Sequence, residues 1–249
     1  MNFGESNNPM FRKKSIAKVD ALKKKPSGPY LSETVHMTVQ GAVTKTFILT
    51  GLMLATFVVG FAFPNPLFMV GGAIAAFVVY LITGFRPHIA STTAPLYALI
   101  QGLFLGSVSA IYAAAYAGIL FQAFSLTIAC LLAMLMLYQS GMIKVTKSFR
   151  AGVTMAVFAV MLVYIIAFIG YFVGFDVPFL HNSGPLGIGI SLLIIGIACL
   201  NLLLDFDNFE QGELAEAPKY MEWYYGMGLL FTLIWLYLEM LRLLSKLRD

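Results

Sequence analysis

The chain has 249 residues, of which 59% are hydrophobic and 11% charged, with a formal net charge of +4 and a mean hydropathy of +0.84. A soluble domain of this size could not bury so much apolar surface, so water is excluded as the solvent for most of the chain. The basic excess sits mainly in the N-terminal tail and gives no argument for nucleic acid as a partner.

Residues 1–44 are polar and basic, with KKKPSGP at 23–29 marking a flexible stretch. They lack the short apolar core and small-residue cleavage site of a secretory signal. They are expected to form a cytoplasmic tail, disordered at its start. Beyond it, apolar stretches of about twenty residues recur, the length a helix rising about 1.5 Å per residue needs to cross about 30 Å of hydrocarbon. Spans are expected near Thr46–Phe63, Leu67–Phe85, Ala94–Ala115, Ile119–Tyr138, Val153–Phe175, Leu186–Leu204 and Tyr225–Leu244. The breaks come from Pro64 and Pro66, Gly84 and Pro87, Gly118, the basic segment SGMIKVTKSFR at 140–150, and HNSGP at 181–185. The fold class expected is an all-α integral membrane protein, with seven transmembrane helices in a bundle over residues 45–249 and short loops between them.

Basic residues set the orientation, because cytoplasmic loops retain Lys and Arg. The tail through Lys45 carries eight of them, the second connection has Arg86, the fourth has Lys144, Lys147 and Arg150, and the sixth has Lys219. The first, third and fifth connections have none, so an N-terminus in the cytoplasm satisfies every loop. Seven full crossings would place Arg242, Lys246 and Arg248 outside, against the same rule. The last segment therefore either stops short of crossing or is overruled by the earlier loops. Small residues four apart, Gly102 with Gly106 and Gly170 with Gly174, read as close packing within the chain rather than a dimer seam. Cys130 and Cys199 lie inside apolar runs and read as packing residues. The aromatic group Tyr220, Trp223, Tyr224 and Tyr225 reads as an interfacial belt.

Acids are unevenly placed. None occurs between Glu33 and Asp176, and seven of the twelve fall between Asp205 and Glu239. Glu239 is embedded in LLFTLIWLYLEMLRLLSKL, where a carboxylate is costly unless it faces a partner, the bundle interior or a cavity. Arg242, three residues on, shares its helical face and can pair with it locally. Asp205 closes the apolar run NLLL, and Asp207 points about 160° away if the helix continues, so one can face inward while the other meets water. Asp205 is taken as the inward group. Asp207, Glu210, Glu213 and Glu216 read as a solvated cytoplasmic loop. Arg86 in GFRPH ends the second span on the same side as Asp205 and reads as a positive-inside anchor. No metalloprotease motif or nucleophile elbow is present, the histidines are scattered, and no enzyme activity is expected.

The stretches LLLDFDNFEQG and LIWLYLEMLRLLSKL resemble the sixth and last helices of the Bax inhibitor-1 family. AVTKTFILTGLMLATFVVGF at 42–61 and APLYALIQGLFLG are similar to its first and third, in the same order, especially in the bacterial branch with a long basic tail. The resemblance implies a bundle built around the last helix and a pH-responsive calcium leak in the inner (plasma) membrane. By position it implies that Asp205, Glu239 and Arg86 act as proton sensor and ion gate, with Asp207 and Arg242 in secondary roles. The partners it implies are the lipid bilayer, protons and calcium, with calcium as the permeant ion and no tightly bound cofactor. Glu239 stands where an aspartate is commoner. If Asp205 and Glu239 met, they would share a proton and could hold calcium only weakly, since calcium takes six to eight oxygens. Arg86 would compete with the cation for Asp205. Contact requires the sixth helix to extend beyond its apolar run, the last to begin later than its apolar run suggests, or the chain to be re-entrant, because Glu239 lies about 21 Å along the last span. Some extension is expected, since GELAEAPKYMEWYY can continue as amphipathic helix. Two other functions are compatible with the sequence. One is a membrane adaptor that binds a quality-control or stress protein through its basic tail, and the other is a proton-coupled solute transporter.

Overall fold

The computed structural model describes residues 36–174 and 184–248, and the regular elements in them are helical. Among the described residues, seven helices are long and apolar enough to cross a membrane. They are α1 Val39–Ala62, α2 Leu67–Phe85, α3 Ala90–Ala115, α4 Ile119–Gln139, α5 Lys147–Val173, α6 Pro185–Leu214 and α7 Met221–Lys246. The seven-helix, all-α expectation holds. Residues 1–35 of the basic tail lie outside the described residues, and residues 39–44 form the first turns of α1.

Local chemistry sets the helix ends. Thr38 caps α1, its Oγ1 accepting from Gly41 N at 2.9 Å, and Thr146 caps α5 by accepting from Phe149 N at 3.2 Å. Pro64 and Pro66 prevent α1 from continuing, and Asn65 Oδ1 accepts from Leu67 N at 2.8 Å as α2 begins with one widened turn. Arg86 precedes a proline and leaves the helical conformation there, followed by a single tight turn into α3. Gly118 takes a left-handed φ of 73° before α4.

Helix α7 is the centre of the bundle. In its most apolar stretch 61% is buried, against 11% in those of α2 and α5. It packs on α1, α3, α4 and α6. The tightest interface joins α1 to α3, where Gly60, Gly102 and Gly106 let backbones meet. A Cβ on Gly102 would collide with the Met53 carbonyl and Thr56 hydroxyl, and one on Gly106 with the Phe57 carbonyl. Ser107 Oγ adds a bond to Gly60 O at 3.2 Å. The Gly102 and Gly106 pair thus packs within the chain, whereas Gly174 ends α5 with a left-handed φ of 81°.

The ends of the helices define two faces. Arg86, Lys144, Arg150 and Lys219 lie where α2, α4 and α6 end and α1, α3, α5 and α7 begin, which we call the basic face. Here Met37 N donates to Ala217 O at 2.8 Å and Thr38 N to Glu222 Oε1 at 3.1 Å, clipping the start of α1 to that of α7. Helix α7 then runs the full depth of the bundle. At its far end Lys246 Nζ donates to Gly187 O at the start of α6, and Arg248 donates to Ala117 O between α3 and α4. The last segment therefore does not stop short.

Candidate functional site

Helix α6 continues for ten residues after Leu204, because DFDNFEQGEL contains no proline and its acids find partners on neighbouring helices. Asp205 is consequently inside a helix, 9% exposed, and turned toward α7. Thr232 Oγ1 donates to Asp205 Oδ2 at 2.6 Å, while Asn201 Nδ2 reaches the same Oδ2 at 3.4 Å and Thr232 Oγ1 at 2.9 Å. Asn201 sits one turn before Asp205 on the same face of α6, so the carboxylate is held by its own helix and by α7 together. Oδ1 has no hydrogen-bond partner among the described residues, and Asp205 belongs to the wall of a cavity of about 150 Å³. Tyr80 and Gly84 of α2, Asn208 of α6, and Tyr224, Tyr225, Met227 and Gly228 of α7 complete that wall. Gly228 borders the space beside the carboxylate, its Cβ position 4.0 Å from Oδ1. Tyr224 and Tyr225 thus belong to the cavity as well as to the aromatic end of the bundle.

Of the acids after Asp205, Asp207, Glu210 and Glu213 lie in the helix rather than in a loop, and Glu216 lies in the turn that follows it. Asp207 points away from α7, as the 160° offset requires, and is ion-paired with Arg150 at the start of α5. Arg150 Nη1 also donates to Asn208 Oδ1 at 2.7 Å. Glu210 is exposed, but its Oε2 accepts from Tyr138 Oη at 2.5 Å. The helix persists here because α4 and α5 supply cationic and hydroxyl partners that hydropathy does not register.

Glu239 is 1% exposed and forms the second site. Arg242 Nη1 donates to its Oε1 at 2.7 Å, so the local pair expected from the three-residue spacing is present and buried. Tyr164 of α5 bridges the two, its hydroxyl donating to Glu239 Oε1 and accepting from Arg242 Nη1 at 2.5 Å. One turn beyond Arg242, Lys246 is buried and donates to Gly187 O at 3.1 Å and Ser191 Oγ at 3.0 Å.

Asp205 and Glu239 do not meet. Asp205 lies level with Thr232, seven residues before Glu239 and so about 10 Å away along α7. Even with α6 extended and α7 running its full length, the two carboxylates occupy successive depths, with Asp205 toward the basic face. Arg86 is exposed and its side chain makes no hydrogen bond or ion pair among the described residues, although Gly84 two positions earlier lines the cavity. The cation that engages α6 acids on this face, among the described residues, is Arg150. Among the described residues, the buried acids Asp207, Glu222 and Glu239 each have a basic partner, and Asp205 has only neutral ones. The sequence alone assigned no site role to Thr232, Asn201 or Tyr164, and gave Arg150 and Lys246 only as orientation charges. Asn201 and Lys246 were findable from their spacing on the faces of Asp205 and Glu239, whereas Tyr164 and Arg150 come from distant segments.

A family profile described as Bax inhibitor 1 like matches residues 8–249, which include Asp205, Glu239 and the helices that hold them. The chain belongs to the Bax inhibitor 1 like family. Comparison with curated proteins and with solved structures finds no match. In this Bax inhibitor 1 like protein the described residues contain no group of three acidic, histidine or cysteine side chains suited to a metal ion. The oxygens around Asp205 are one carboxylate and neutral side-chain groups, a set that holds calcium weakly if water completes the shell.

Proposed function

We propose that this Bax inhibitor 1 like protein is a cation leak of the inner (plasma) membrane, with calcium as the permeant ion and proton occupancy of Asp205 as its control. The observation that carries this reading is a single one. Asp205 is a buried carboxylate with no basic partner among the described residues, and it lines a cavity at the basic face. Such a group is neutralised by a proton or by a mobile cation, and the two compete for the same oxygen. A proton on Asp205 removes the charge that draws the cation in.

The basic face is taken as cytoplasmic, following its Lys and Arg. A cation at Asp205 would have Thr232 and Asn201 as neighbours, and beyond them Arg242 and Lys246. Those cations oppose passage, so the arrangement corresponds to a closed pathway in which Glu239 is occupied by Arg242. Opening requires the Glu239–Arg242 pair to part.

Calcium flux into liposomes carrying the purified protein tests this reading across pH 5 to 8. Flux above that of protein-free liposomes, varying with pH in the wild type and independent of pH in Asp205→Asn, is expected. A folded wild-type protein with no flux beyond the protein-free control would overturn it.

A further inference from the structure

Helices α2 and α5 each pack chiefly on one neighbour, α2 on α3 and α5 on α6, and scarcely touch one another. The wall of the bundle is therefore open between them, and α7 shows through the gap. A cavity of about 530 Å³ fills this opening, bounded by Ala73 and Phe77 of α2, Val160 and Tyr164 of α5, and Phe231 and Trp235 of α7. Its volume falls within the roughly 300–1,000 Å³ of ligand pockets. We infer that this groove is a lateral lipid site, in which one membrane acyl chain lies against Trp235 and, through Tyr164, bears on the Glu239–Arg242 pair.

Depth selects the occupant. Phe231 and Trp235 are about 15 and 21 Å along α7 from its start, inside the part of the bundle that faces hydrocarbon. An irregular peptide segment at that depth would leave its backbone N–H and C=O groups unpaired, which excludes it. The lining is almost wholly aliphatic and aromatic, so a polar headgroup has nothing to bind. Leaving the groove empty would forfeit dispersion contacts along its whole wall, whereas a neighbouring acyl chain can enter sideways without losing an apolar environment.

Tyr164 gives the occupant a consequence. Its ring is part of the groove wall, its hydroxyl sits between Glu239 and Arg242, and the Arg242 guanidinium is 5.1 Å from the ring centroid. A chain against the ring holds Tyr164 in the position that bridges the pair. Without it, the ring has room to swing into the groove and release the bridge. This effect on flux rests on the leak reading; the lipid site itself does not.

Trp223 and Trp235 are the two tryptophans in the chain, so Trp223→Phe leaves Trp235 as the sole indole reporter. The Trp223→Phe protein is reconstituted in phosphatidylcholine brominated at mid-chain and in the same lipid without bromine. Loss of most of the Trp235 emission in the brominated lipid is expected, and Ala73→Phe or Val160→Phe, each filling the groove from a different helix, should restore much of it. Equal emission in the two lipids would mean that the groove is closed or covered by a second copy, and would overturn the site. Quenching undiminished in both filled variants, with the protein folded, would also overturn it, because the quenching would then come from lipid outside the groove. Calcium flux of the filled variants forms a separate arm. A change relative to wild type that disappears in the Tyr164→Phe background supports the link to the gate, and unchanged flux despite reduced quenching overturns that link.

Discussion

Asp205 and Glu239 are both nearly sealed from solvent, yet their neighbours give them different chemistry. Glu239 is neutralised by Arg242 at 2.7 Å, with Tyr164 bridging the two, whereas among the described residues Asp205 is held only by Thr232 and Asn201. Removing one partner of a buried pair strands the other charge, at about 3–5 kcal/mol. Arg242→Gln should therefore lower the thermal unfolding temperature in detergent, and Glu239→Gln with Arg242→Gln should recover most of the loss. A smaller effect is expected at Gly228. Its Cβ position is 4.0 Å from Asp205 Oδ1, so Gly228→Ala should be tolerated while Gly228→Leu fills the cavity and suppresses flux. The inward turn of Asp205 was legible from the run NLLL before it and from the offset to Asp207. Its partners were not, because Thr232 is 27 residues away and nothing in local spacing couples the two.

Helices are more legible in the sequence than side-chain partners, and the most displaced helix end, that of α6, has a physical cause. Hydropathy ends a span where acids begin, so the apolar run of α6 stops at Leu204 and the following acids read as loop, with some amphipathic extension expected from GELAEAPKYMEWYY. The backbone continues to Leu214 because Arg150 and Tyr138 on α5 and α4 meet those acids. Proline and glycine breaks, by contrast, are local, and the connections at Pro64–Pro66, Arg86–Pro87 and Gly118 fall where they were expected. The α1–α3 interface gives a test at this scale. Gly106→Leu forces a side chain against the Phe57 carbonyl, and overpacking of this kind typically costs about 1–3 kcal/mol or more. Gly152→Ala, with no atom near its Cβ position on α5, should be neutral or raise stability by up to about 1 kcal/mol through helix propensity. Denaturation curves of the two variants check the contrast.

At the scale of the molecule, α7 crosses the whole bundle and ends beside the α3–α4 connection, held there by Arg248 and Lys246. Charge alone left the side of the C-terminus open, since Arg242 and Lys246 argued against a full crossing. Their charges are accommodated inside the bundle by Glu239, Tyr164, Gly187 and Ser191, which the positive-inside rule does not count. In a background with Cys130 and Cys199 replaced by alanine, Lys144→Cys and Leu247→Cys should be labelled by an impermeant maleimide from opposite sides of the membrane. Labelling of both from one side would reverse the reading of α7. The resemblance to the Bax inhibitor family brought Asp205 and Glu239 forward as one gate, and the structure separates them by about two helical turns. The measurement that tests the central claim most directly is the pH profile of calcium flux in liposomes for Asp205→Asn beside Glu239→Gln. A flat profile in Asp205→Asn, with Glu239→Gln altering the size of the flux but keeping its pH dependence, is predicted. A wild-type profile in Asp205→Asn with a flat one in Glu239→Gln would contradict it.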